Sequence, residues 1–83
     1  MKVGEVWKPR DKTKDWVYDN HEWYVTNFVD PQYGVDRDLS RVRITSLFSE
    51  DTEYVTYDFL DTEGFSGMQR KLFLEKYERV YEQ

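Results

Sequence analysis

His21 is the chain's one imidazole, and it stands beside Asp19-Asn20, where the pattern starts a strand. A general base needs an orienting partner and a nucleophile within hydrogen-bond reach. The sequence has no cysteine, no G-x-S-x-G turn and no Gly-rich phosphate loop. His21 therefore reads as a turn-flanking surface residue, and the chain as no enzyme. Two carboxylate groups come next, Asp36-x-Asp38 and Glu50-Asp51-x-Glu53. Calcium wants about six to eight oxygens, with glycine or asparagine at fixed loop positions. Neither stretch has that spacing. Both read as solvated charge, and no metal or cofactor is expected.

Binding chemistry has better material. Trp16, Tyr18, Trp23, Tyr24 and Tyr33 crowd the first half of the chain. Trp23 is expected inside the core. Trp16, Tyr18 and Tyr33 lie in or beside polar loops. There they could cage a cation against their π faces, or stack bases. The plainer reading is a lid folded over an open end of the domain, since a small core recruits whatever rings it has. The basic run Lys8, Arg10, Lys12 and Lys14 leads into Trp16 and Tyr18, and Arg41 and Arg43 could extend it. That is a nucleic-acid signal, weakened by the interleaved Asp11, Asp15 and Asp19. The acids Asp51, Glu53, Asp58, Asp61 and Glu63 lie on or near one hairpin. They could imitate a phosphate backbone, or serve only as solubilising charge.

Eighty-three residues make one domain, spanning 1–83. A chain so short buries only about 60 % of its unfolded surface. Without cysteine, no disulfide staples it. Packing must suffice, and three Trp, seven Tyr and five Phe provide the apolar area. The net charge of −5 falls entirely in residues 46–83, where four Lys/Arg face nine Asp/Glu. An acidic surface disfavours sequence-independent binding to phosphates. No apolar run reaches the roughly 20 residues of a membrane span. The first residues have no apolar stretch of a signal peptide, which predicts a cytoplasmic location.

Residues 41–60 organise everything else. Val42 and Ile44 alternate with Arg41, Arg43 and Thr45. Across the polar stretch 49–53, Val55, Tyr57 and Phe59 alternate with Tyr54, Thr56 and Asp58. That pattern predicts two antiparallel strands, over Arg41–Phe48 and Thr52–Leu60. Asp61-Thr62-Glu63-Gly64 predicts a turn closed by a positive-φ glycine. A strand at Phe65–Arg70 follows, then a helical turn at Leu72–Tyr77 and a short closing strand at Glu78–Glu82. Phe73 and Tyr77 share a face at i, i+4 spacing. Ser66-Gly67-Met68-Gln69 also fits a capping box, which would start the helix earlier.

The first half predicts a strand at Val3–Trp7 ended by Pro9, then a polar loop over 8–20. Within that loop Trp16-Val17-Tyr18 is a candidate edge strand. His21–Val29 is read as a second main strand, and residues 30–40 as a long loop of the kind that often carries function.

Gly4-x-x-Trp7, Val55-Thr56-Tyr57 and Phe73-Leu74-x-x-Tyr77 resemble the scattered core positions of SH3/Tudor-like domains in small bacterial and phage proteins. The resemblance spans most of the chain and departs from the pattern in its two long loops. It implies an all-β, five- to six-stranded antiparallel SH3-like barrel with one short helical turn before the last strand. It also implies binding rather than catalysis. The expected function is a phage-type accessory protein that binds and modulates a host protein, in the host cytoplasm if phage-encoded. The expected partner contacts are Trp16, Tyr18, Tyr33, Arg41 and Arg43. Nucleic-acid binding through residues 8–14 with Arg41 and Arg43, and acidic mimicry of nucleic acid, are the alternatives.

Overall fold

The computed structural model describes residues 1–27, 36–48 and 53–81, with residues 24 and 25 described by backbone alone. Among the described residues five antiparallel strands form one sheet: β1 (Val6–Pro9), β2 (Val42–Phe48), β3 (Tyr54–Phe59), β4 (Phe65–Gln69) and β5 (Tyr77–Arg79). Their order across the sheet is β4-β3-β2-β1-β5. The first strand therefore lies between the second and the last. No ladder joins the β4 and β5 edges among the described residues, so the sheet is open. Helices α1 (Asp11–Asp19) and α2 (His21–Asn27) lie between β1 and β2, and α3 (Arg70–Lys76) lies between β4 and β5.

The β2–β3 hairpin follows its sequence pattern closely. Val42, Ile44, Val55 and Tyr57 are buried, while Arg43, Thr45, Tyr54 and Asp58 are exposed. One irregularity interrupts it. Ile44 pairs with Tyr57 but Ser46 pairs with Thr56, so Thr45 is an extra residue on β2. This β-bulge lets Leu47, opposite Val55, keep the face set by Val42 and Ile44. The Thr45 hydroxyl meets the Thr56 hydroxyl at 2.9 Å across the bulge. Gly64 closes the β3–β4 turn at φ +110, a region side chains avoid. Its carbonyl accepts the Phe59 N–H at 3.1 Å.

Pro9 ends β1 without breaking a ladder bond. Val80 N–H donates to Val6 C=O and Arg10 N–H to Lys76 C=O, each at 2.9 Å. Pro9 lies between these bonds, opposite Tyr77. Its missing donor would face the β2 side, where pairing has already stopped at Trp7–Val42.

The core is largely aromatic. Trp7, Val42, Ile44, Val55, Tyr57, Phe73 and Tyr77 form one buried cluster. Phe73 stacks on Tyr77 at 4.6 Å between centroids, the expected contact, but Tyr77 lies at the start of β5 and not on the helix, so the stack joins α3 to the sheet. Trp7 meets Phe73 edge-on at 5.3 Å, and Tyr57 lies 5.5 Å from Phe73. Such pairs add about 0.5–1.5 kcal/mol beyond burial alone.

The segment after β1 departs from its sequence pattern. Trp16-Val17-Tyr18 lies in α1, not in an edge strand, and residues 21–27 form α2, not a second main strand. Asp11 in the first turn suits the positive end of the helix dipole. Asn20 stops α1 by donating both its backbone N–H and its Nδ2 to the Trp16 carbonyl. Asn27 donates its Nδ2 to the Trp23 carbonyl at 2.9 Å in the same way. Strands with this spacing need two facing rows of apolar side chains. Here Val17 is the one fully buried side chain of α1.

Candidate functional site

Three rings stand out on the excursion between β1 and β2. Trp16, Tyr18 and Trp23 are 54 %, 64 % and 52 % exposed. Trp23 is therefore not a core residue. Trp16 and Tyr18 lie two residues apart on a helix, about 200° around its axis. They flank buried Val17 rather than facing one another, so they form no two-ring cage. Trp16 and Trp23 stand on successive helices, on either side of the Asn20 break. Tyr33 lies outside the described residues.

The excursion is tied to the end of α3, just before β5, the strand beside β1. Thr13 Oγ1 donates to the Lys76 carbonyl at 2.9 Å, and Arg10 Nε donates to the Leu74 carbonyl at 3.2 Å. These satisfy C-terminal carbonyls of α3 that have no helical partner of their own. The helix that carries Trp16 and Tyr18 is thus anchored to the helix that carries Phe73.

The cations expected to bind a partner or a phosphate backbone are largely engaged. Arg41 grips Asp61 through Nε and Nη2, the latter at 2.8 Å, and its backbone N–H also donates to that carboxylate at 2.9 Å. The hydrogen bonds from Arg41 hold the Asp61 carboxyl below the usual range, and Asp61 in turn raises the Arg41 guanidinium. This pair clamps the start of β2 to the β3–β4 turn. Lys8 and Arg10 share Glu78, at 3.4 and 4.0 Å. Arg43 stands opposite Asp58 in the ladder register but forms no ion pair with it. Lys12 and Lys14 sit on α1 without an ion pair among the described residues.

The acids divide similarly. Glu53 faces Arg70 at 3.6 Å and Asp61 faces Arg41, which pairs two of the four described acids of the hairpin. Asp51 lies outside the described residues. Glu5 sits under Arg79 at 2.9 Å, and Arg79 lies over the Tyr81 ring at 4.8 Å. Burial opposes the Glu5 charge, but the Lys2 amide and Arg79 outweigh it, so its pKa falls below the ordinary value. The Trp7 indole N–H is buried without an aligned acceptor, and Glu5 feels it only as the weakest of its stabilising neighbours.

His21 is exposed at the first residue of α2. Among the described residues no group of three or more His, Asp or Glu could hold a metal ion. No helix there is long and apolar enough to cross a membrane. Sequence reasoning missed Trp23 as a surface residue. It also missed Phe48 and Phe65, both exposed on the outer face of the sheet. Their strand positions, opposite polar partners, were the available signal. Comparison with protein-family models, with curated proteins and with solved structures finds no match for this chain.

Proposed function

We propose that this chain is a non-catalytic protein-binding module on an SH3-like scaffold, and that the helical excursion between β1 and β2 is its contact surface. The observation that carries the reading is the exposure of Trp16, Tyr18 and Trp23 within eight residues of each other. Rigid aromatics present large contact area at low entropic cost, and interface hot spots are enriched in Trp and Tyr. The scaffold reading is supported by the strand order, by α3 placed before the last strand, and by the resemblance in the core motifs. A phage-type accessory role toward a host protein follows from that resemblance. Arg41 is engaged with Asp61, holding the start of β2 to the β3–β4 turn instead of reaching for the partner. Nucleic acid is the weaker ligand class, because Lys8, Arg10 and Arg41 already face carboxylates.

The test is affinity capture from bacterial lysate with the intact chain and with Trp16→Ala/Tyr18→Ala/Trp23→Ala. The variant is expected to keep its sheet by circular dichroism and to lose the captured protein. Equal capture by both chains, or no captured protein at all, would remove this reading.

A further inference from the structure

The buried cluster of the sheet takes nothing from the helical excursion. Among the described residues its members come from β1, β2, β3, α3 and β5, and none comes from α1 or α2. Val17 is 1 % exposed, yet it lies outside that cluster. Both ends of the excursion are fastened independently of its helices. Before it, β1 pairs with β2 and β5, and Arg10 N–H donates to Lys76 C=O at 2.9 Å. After it, Ser40 Oγ accepts the Asp61 N–H at 3.0 Å, and Arg41 holds the Asp61 carboxylate. Between those ends, two side-chain bonds join the start of α1 to α3. Thr13 Oγ1 donates to the Lys76 carbonyl at 2.9 Å and Arg10 Nε to the Leu74 carbonyl at 3.2 Å, both at the surface. Other side-chain bonds run inside the excursion, from Asn20 to Trp16, Thr26 to Glu22 and Asn27 to Trp23. Arg10, at the junction, is extended and gives α1 no side-chain cap.

We infer that α1 and α2 open as a unit, hinged at Arg10, while the sheet stays folded, and that Thr13 and Arg10 are the latch that keeps the unit closed. Segments open separately where solvent-exposed bonds, rather than a shared buried core, hold them in place. The use of such a latch rests on the contact surface proposed above, because Trp16, Tyr18 and Trp23 ride on the unit. Thr13 and Arg10 are then positioning residues: they fix where the rings stand without touching a partner. Holding a surface in place beforehand lowers the ordering cost of binding.

The experiment is native-state amide exchange on the intact chain, following residues 15–20 against the β2–β3 ladder in low concentrations of urea. Residues 15–20 should exchange roughly tenfold faster than the ladder and respond less to urea, since a local opening exposes less surface. Thr13→Val keeps a β-branched side chain of similar helix preference and removes the latch hydroxyl. It should speed exchange of residues 15–20 about fivefold, the effect of one lost hydrogen bond. Val55→Ala, in the sheet core, should speed the ladder amides roughly tenfold or more and leave residues 15–20 within about twofold. Residues 15–20 that track the ladder in Val55→Ala, or that ignore Thr13→Val, would overturn the inference. If Val55→Ala fails to fold, equal urea slopes for α1 and the ladder in the unmodified chain would overturn it instead. Separate opening combined with equal capture by the Trp16→Ala/Tyr18→Ala/Trp23→Ala chain would remove the contact surface and uphold the latch.

Discussion

Single side chains carry most of the stability in a domain this small. Tyr57 and Phe73 are fully buried at the centre of the ring cluster. Truncating either to alanine should cost about 3–5 kcal/mol, read as a shift in urea midpoint. Phe59 packs only against the edge of that cluster, so its loss should cost less. Tyr54, on the outer face, should cost far less than Tyr57. Gly67 is sensitive for a different reason. Its missing Cβ would meet the Tyr54 ring at 2.7 Å and the Val55 carbonyl at 2.9 Å. Gly67→Ala should therefore destabilise by about 1–3 kcal/mol, through overpacking rather than backbone strain. Shortening Tyr54 in the same chain should recover part of that loss in a double-mutant cycle.

At the level of elements, the hairpin and the excursion obey different rules. Residues 41–60 were legible because alternation, turn residues and burial all point the same way. Gly64 was legible because its turn needs positive φ; the Phe73–Tyr77 contact was legible from spacing, although Tyr77 has already left the helix for β5. The excursion misled because Trp16-Val17-Tyr18 and Trp23-Tyr24-Val25-Thr26 are rich in strand-forming types. Tertiary anchoring overrides that preference. The Thr13 and Arg10 bonds to α3 and the burial of Val17 hold a helix that has no apolar stripe to betray it. Val17, at 1 % exposure, is the test. Val17→Ala should cost roughly 2 kcal/mol, from two buried methyl groups and the space they leave. The site was half legible for the same reason. Trp16 and Tyr18 were singled out by type, whereas their facing on opposite sides of a helix needed the helix itself.

For the molecule as a whole, charge and burial set a pH window. Burial raises the Tyr57 and Tyr77 hydroxyls above the ordinary phenol value of 10.0; Asp38 repels the charged form of both and Tyr57 that of Tyr77, while hydrogen bonds with Ser66 and Tyr77 offset part of the rise at Tyr57. A raised folded pKa means stability is complete below about pH 10 and declines as pH climbs beyond it. Tyr77→Phe should flatten that alkaline decline in denaturant titrations, whatever it does to stability at neutral pH. Asp61 and Glu5 work at the other end. Their folded values lie below the ordinary 3.8 and 4.5, so their contribution is complete above those values and is lost as pH falls through the folded ones. Asp61→Asn should remove part of the acid-side slope, and 1 M salt should mimic it only weakly because the pair is hydrogen-bonded as well as charged.

The supernumerary Thr45 has an evolutionary consequence. Val42, Ile44, Leu47 and their partners keep their pairing if that one residue is excised, because Ser46 already answers Thr56. A one-residue deletion at 45 should give a folded chain with a straighter hairpin. Removing Thr56 from the opposite strand should invert the inward set from Val55 onward and leave insoluble protein. Length variation along this ribbon is thus tolerated on one strand and forbidden on its neighbour, and a deletion scan of residues 42–59 read by soluble yield would show that asymmetry.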